Sequence, residues 1–578
     1  MSDLQLGNAF GAPTQDDWLA AVETALRGKS PDTLNSQDLA GFDRAPLYRD
    51  TNSDSGLPGF APYTRGATAV NRKFLPWHIS QRAVLGRKGV DNASLMEDLQ
   101  GGVSALTLDF ADNAAGQTTD TTALDKLLEG VMLDIAPLAL ANADLTAAQA
   151  VLDLLTQRQA ADAAVYLNLS PLQPEGKSLD FAALPHIAAA HPAARLLTAN
   201  GAAFHAQGAG VPQELGWMLA ALTAYLRALE AEGMQPAEAL SKITLTVAAD
   251  VDMFATLAKI RAARLLFANI AESVGAAEAV PQIHAESSLR AFADVDPWVN
   301  ILRATAAALG AGIAGVDMMT VAPCTATSTS DNTLTRRIAR NTQIILQEES
   351  HIGHVADAAG GSWYVEELTQ QLAEKAWAEF QAIEAADGLA QALADGTIDS
   401  ALAAQTEAYQ ADIDKRGMPL VGVSEFPNLE EAPLPQGTAT GYRHAQGFEA
   451  LRHAAQKAKP KVFMACLGEM ADYTPRLNFA ANLYAAGGLH AVNGDGGTDA
   501  TAIAEAFKQS TAKIAVICGS DTAYDAHAAS LATALKAAGV THLALAGKPR
   551  EIAEIDDYCF AGCAALTYLR AIHGKLGL

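Results

Sequence analysis

A chain of 578 residues holds about four domain-sized units, or one large barrel with smaller attachments. Half of it is hydrophobic and 18% is charged, which supplies ample material for cores and too little charge for a disordered chain. Forty Lys and Arg against 65 Asp and Glu leave a formal charge of −25, which repels nucleic acid and anionic membranes and excludes both as partners unless a local basic patch intervenes.

Thr14, three residues before Asp17, predicts a capped helix start ahead of Trp18, Leu19, Val22 and Leu26 at helical spacing. From Ser30 to Gly66, Pro31, Pro46, Pro58 and Pro62 interrupt a stretch without sustained period, which reads as an extended arm that needs another surface to lie on. Between about Gly101 and Val321, short apolar runs alternate with helical ones: Ser104–Phe110, Val131–Ala136, Ala164–Ser170, Arg195–Gly201, Ile243–Asp250 and Ile313–Pro323. Buried parallel strands separated by helices over this length predict a (β/α)8 TIM barrel. The stretch from Phe380 to Lys459 is helical and then Pro-rich, as suits a linker wrapped over the surface. After it, Lys461–Gly468, Gly488–Gly494, Ala512–Ser520 and His542–Lys548 alternate with helices. They predict a flavodoxin-like doubly wound sheet whose ligands would sit at the C-terminal strand ends. The expected organisation is α/β, with an arm over 1–66, a barrel over 67–380, a linker over 381–459 and a second α/β domain over 460–578.

Neither a secretory nor a transit peptide is visible, and no segment reaches the roughly 18 apolar residues of a membrane span, so a soluble, cytoplasmic chain is expected. The five cysteines, Cys324, Cys466, Cys518, Cys559 and Cys563, read as reduced core thiols rather than a disulfide framework or metal cage. His351-Ile352-Gly353-His354 spells the ATP-holding signature of class I aminoacyl-tRNA synthetases, but it follows the barrel strands and has no Lys-rich partner loop, so it reads as accidental. Gly494-Asp495-Gly496-Gly497 could cradle a phosphate. A Gly-rich turn with Thr498 capping the next helix accounts for it, since Asp499 stands where a dinucleotide fingerprint wants its third glycine. No Walker loop, His-Glu-x-x-His or Cys-x-x-Cys is present, so P-loop chemistry and a metal site are not expected.

Two longer blocks carry more. The first runs through Ala45-Pro46-Leu47-Tyr48, Pro58-Gly59, Pro62-Tyr63-Thr64-Arg65-Gly66 and Pro76-Trp77-His78-Ile79-Ser80-Gln81-Arg82. The second runs from Arg337-Ile338-Ala339-Arg340-Asn341-Thr342-Gln343 through Glu348-Glu349-Ser350 to Gly360-Gly361-Ser362-Trp363-Tyr364-Val365-Glu366. In this order and separation they resemble the methylmalonyl-CoA mutase family over most of the chain. That resemblance implies an arm, a barrel threaded by acyl-CoA, a linker and a cobalamin-binding-type domain.

Three places depart from the family's chemistry. Catalytic chains read Arg-Pro-Trp-Thr-Ile-Arg-Gln-Tyr, where Arg and Thr grip coenzyme A and Tyr lies against the acyl group. Here Leu75, His78, Ser80 and Arg82 stand at those positions, and Ser for Arg loses charge and fork geometry together. Catalytic chains also carry a Gly-Tyr-His segment on a barrel strand, whose His meets the thioester carbonyl. The matching stretch is expected to be Ile243–Asp250, which has no imidazole. Cobalamin binding in the family uses an Asp-x-His-x-x-Gly loop, where Ala471, Tyr473 and Arg476 replace the Asp, His and Gly. Asp525-Ala526-His527 is a near miss that lacks the Gly and reads as a solvated helix face.

The resemblance therefore implies the family's small, non-catalytic chain. It would bind no cofactor or metal itself and would pair as a heterodimer with a large catalytic chain that holds adenosylcobalamin, in propionate metabolism. Two rivals are an independently active acyl-CoA mutase using His78 or Arg82 in new roles, and a chaperone-like protein serving a mutase. The latter class usually carries a nucleotide-hydrolysing loop, and none is seen.

Overall fold

The computed structural model describes residues 13–39, 41–49, 55–68, 74–111, 120–328, 332–431, 433–435, 437 and 441–578. Eight strands close into a parallel barrel: β1 His78–Val84, β2 Ala105–Asp109, β3 Leu138–Ala141, β4 Val165–Leu169, β5 Arg195–Asn200, β6 Ile243–Ala249, β7 Gln282–Ser287 and β8 Met318–Thr320. Alternation within β6 shows why these residues form this layer. Ile243, Leu245 and Val247 join the core under the surrounding helices, while the Thr244 and Thr246 side chains point the other way, into the lumen. Outside, helix Val211–Ala231 packs on helix Trp363–Ala385 at Gly216, where a Cβ would lie 2.5 Å from the Glu379 side chain. Only glycine permits that approach.

A second sheet is parallel throughout and ordered β10-β9-β11-β12-β13, from β9 Lys461–Cys466, β10 His490–Asn493, β11 Ile514–Cys518, β12 His542–Ala546 and β13 Asp557–Cys559. The stretch expected to drape as a linker is packed instead: Tyr409, Ile413, Leu420, Val423 and Phe448 share one core with this sheet. Ala293 and Val295, from the segment after β7, enter the same core. Between them Asp294 accepts the His453 ring at 3.0 Å and its N–H donates to Glu449 at 2.8 Å.

The arm, expected to need another surface, finds one within this chain. Several of its described residues are fastened to the chain's own barrel unit. Phe42 is buried, the Asp43 N–H donates to Gln371 at 3.1 Å, and Arg65 pairs with Asp357 at 2.8 Å. Helix Gln15–Ala25, with the Thr14–Asp17 capping box in place, buries none of its residues.

Other differences have local causes. Val131–Ala136 is a turn that exposes Met132 and Ile135, and the strand starts after Pro137. The strands β1 and β7 carry polar residues on their lumen faces and so lack the continuous apolar run expected of a buried strand. The helix after β10 is capped by Asp499 rather than Thr498, its carboxylate accepting from Thr501 and Ala502. No helix among the described residues is long and apolar enough to cross a membrane.

Candidate functional site

Two places could hold ligands in this architecture: the barrel lumen, and the C-terminal edge of the second sheet. In the lumen, β1 supplies all three expected positions. His78 opens the strand, its N–H donating to Asp317 O at 2.9 Å. Ser80 is fully buried, its hydroxyl 2.7 Å from that of Thr107 on β2. Arg82 donates to Glu286 on β7 at 2.8 Å and lies 3.9 Å from Asp109. The first two carry no guanidinium for a phosphate, and the third is already committed to carboxylates.

The axis itself is occupied. Tyr166 on β4 meets His284 on β7 edge to face, with ring centroids 4.4 Å apart, and a separate cluster joins Tyr166 to Ala105, Ala139 and Met318. β4 and β7 lie three places apart around the eight-stranded barrel, so this ring contact spans part of the lumen. Burial, with the nearby charges of Arg195 and His78, holds His284 neutral with its pKa lowered to about 3.

The stretch Ile243–Asp250 itself has no imidazole, but one from another element stands beside the end of β6: His205, in the short helix Gly201–Ala206 that follows β5. Its Nδ1 lies 3.1 Å from Glu214 Oε2, and its Nε2 lies 2.8 Å from Ser288 Oγ and 3.3 Å from Asp250 Oδ2. Lys259 donates to Glu214 at 2.7 Å, and the Ala248 N–H donates to the other carboxylate oxygen at 2.9 Å. Burial alone would raise the Glu214 carboxyl, but Lys259 and His205 overcome it and hold it at about 2. Both ring nitrogens of His205 are thus engaged within the protein.

At the second sheet, the loop after β9 runs into helix Met470–Ala486. Ala471 is exposed and offers no polar atom. Tyr473 is buried, its ring so close over Gly496 that a Cβ there would lie 2.7 Å from it. Arg476 reaches across to the next loop, donating to Gly519 O and Asp521 at 2.6 Å each, with its guanidinium 4.7 Å from the Tyr524 ring centroid. The Tyr524 hydroxyl lies 2.8 Å from Ala546 O and 3.1 Å from Ile517 O, and accepts the Gly519 N–H at 3.0 Å. Asp525, of the near-miss motif, pairs with Arg550 at 2.6 Å. This switch-point crevice, between β9 and β11, is therefore filled by the chain's own side chains. A cobalamin held through an axial imidazole does not fit this loop: residues 469–476 contain no His, and the Arg476 guanidinium is engaged with Gly519 and Asp521.

The persisting blocks have internal partners. The Trp77 indole donates to Gln343 at 3.1 Å, and Gln347 donates to Trp77 O at 2.9 Å. Arg261, fully buried, donates to Asp357 at 2.5 Å and to Glu366 at 2.7 Å, joining Arg65 and Ser55 of the arm to the second block. The His351 and His354 rings stack 4.5 Å apart in a loop and open no helix.

The model of the family described as methylmalonyl-CoA mutase matches residues 171–496. A Streptomyces virginiae protein named methylmalonyl-CoA mutase small subunit is 39% identical over all of this chain and 98% of its own length. A Mycobacterium tuberculosis protein, named a probable small subunit of that mutase, is 38% identical over 96% of this chain and 95% of its own. The small subunit from Propionibacterium freudenreichii subsp. shermanii is 33% identical over all of this chain and 97% of its own. With a family model covering more than half its length and full-length relatives above the 30% level, this chain belongs to the methylmalonyl-CoA mutase family.

Proposed function

We propose that this chain is the small subunit of a heterodimeric methylmalonyl-CoA mutase, the structural partner of a large catalytic chain. The complex interconverts (R)-methylmalonyl-CoA and succinyl-CoA by a radical 1,2-rearrangement, with adenosylcobalamin and substrate on the large chain. The second domain, over 460–578, is then a degenerate flavodoxin-like cobalamin-type domain behind an arm over 1–66, a barrel over 67–380 and a connecting region over 381–459. Its positions Ala471, Tyr473 and Arg476, with His78, Ser80 and Arg82 in the barrel, are the degenerate remains of cofactor and substrate sites.

The observation that carries this reading is the self-filled crevice. Tyr473, Arg476 and Tyr524 occupy the ligand edge of the second sheet, just as Tyr166 and His284 occupy the lumen. No step of the rearrangement is assigned to residues of this chain. Their work is to keep a large scaffold in shape, with helix Gln15–Ala25 left to contact the partner. The experiment is a titration of the isolated full-length chain with adenosylcobalamin, followed by absorption, beside co-expression with a large chain. An unchanged cobalamin spectrum and a stable one-to-one active complex are expected. A base-off, His-on spectrum and turnover by the isolated chain would overturn the reading in favour of an independent mutase.

A further inference from the structure

We propose that the groove between arm residues Arg44–Tyr48 and the first turn of helix Trp363–Ala385 is a docking site for the large chain; this rests on the small-subunit reading. The groove measures about 600 Å³ and is lined by residues of both persisting blocks. Those residues divide by task. Tyr48 and Tyr364 face each other, with ring centroids 5.0 Å apart, and hold the arm to the helix. Leu47 and Trp363 turn outward instead, 43% and 50% exposed.

The apolar surface continues around the same helix turn. Leu57 and Phe60, 64% and 61% exposed, stand on the segment that Ser55 and Arg65 fasten to Glu366 and Asp357. Phe254, edge-on to Tyr364 at 5.2 Å, is also exposed. Five exposed large apolar side chains thus stand on elements tied to this one helix turn, and such concentrated exposure marks a protein contact.

Charge selects the occupant. Among the described residues, Arg44 is the one charged residue of the groove wall, and it is neutralised by ion pairs to Asp252 and, at 3.7 Å, to Asp38. An uncharged aromatic groove on a chain of −25 takes an apolar segment that adds no acidic group. A second copy would bring the same large negative charge and is disfavoured by it. The full-length relatives carry the name small subunit, which points to a different, larger chain as the occupant.

The test uses the full-length chain with its large-chain counterpart and measures Kd for the wild type and for the Leu47→Asp and Trp363→Glu variants. Each variant is expected to weaken the complex by about 30-fold or more, the scale of an interface hot spot, with its urea unfolding midpoint unchanged. If the wild-type chains do not associate, the small-subunit reading itself fails. If they associate and both variants bind like the wild type, the groove proposal is overturned and that reading stands. Should a variant unfold, a photo-cross-linking side chain at position 363 replaces it. Adducts with the large chain support the proposal, whereas adducts only with a second copy, or none within a formed complex, overturn it.

Discussion

The indole N–H of Trp77 donates to the side-chain oxygen of Gln343 at 3.1 Å, across 266 positions of sequence, and both residues are buried. Each belongs to one of the two long sequence blocks, and the contact fastens the entry of the barrel to helix Thr333–Ile344. Gln343→Leu would leave the indole donor unpaired in a dry site, at a cost of about 1–3 kcal/mol. Urea unfolding of the isolated chain checks this, and an unchanged midpoint would show that the pair is dispensable.

A larger loss is expected at Arg261, which lies between Asp357 and Glu366 with no exposed surface. Arg261→Met keeps the volume but leaves the buried Glu366 without a cation and Asp357 with Arg65 alone, and breaking such a buried network costs about 3–5 kcal/mol. Because Ser55 and Arg65 join the same network, limited proteolysis should cut the variant between residues 55 and 66 faster than the wild type. Equal cutting would separate the network from the arm.

Acid sensitivity should carry the mark of His284. Its folded pKa is lowered from 6.5 to about 3, by burial first and then by Arg195 and His78. Below pH 6.5 the unfolded chain takes up a proton that the folded chain refuses, so stability falls with pH by about 1.4 kcal/mol per unit until the folded pKa is reached. Glu214 acts lower, its contribution being complete above 4.5 and lost toward about 2. The pH dependence of the urea midpoint between pH 6 and 5 includes this contribution, and comparison with a variant isolates it. His284→Asn should lower the proton uptake on unfolding there by about one.

The crevice of the second sheet should prove structural. Tyr524→Ala removes a buried ring and its contacts with three backbone groups, for a loss of about 3–5 kcal/mol. Arg476→Gly opens the position beside Gly519 but leaves Tyr473 and Tyr524 in place, so the isolated chain should still not bind cobalamin. In a complex with the large chain, the Arg476→Gly variant should keep its kcat within about twofold. A tenfold fall would assign the crevice a chemical part.

Legibility in the sequence followed locality. The Thr14–Asp17 capping box depends on residues three apart and was readable as spacing. Strands facing helices, such as β6, were readable from their apolar runs. The strand β1 was not, because Ser80 and Arg82 face a lumen where Thr107 and Glu286 satisfy them. His205 was missed for a related reason: barrel closure, not sequence proximity, brings it to Asp250 and Ser288.

By itself, the sequence determined the alternation of strands and helices, the net charge of −25, and the residue types of the two long blocks. These depend on side-chain chemistry and short-range order, which are written along the chain. Only the tertiary structure decided which distant residues meet in the lumen and at the sheet edge. Tyr166 meets His284 across a closed barrel, and Arg476 reaches Gly519 across a sheet crevice. Such contacts are set by strand register and by the packing of residues tens to hundreds of positions apart, on which local spacing is silent.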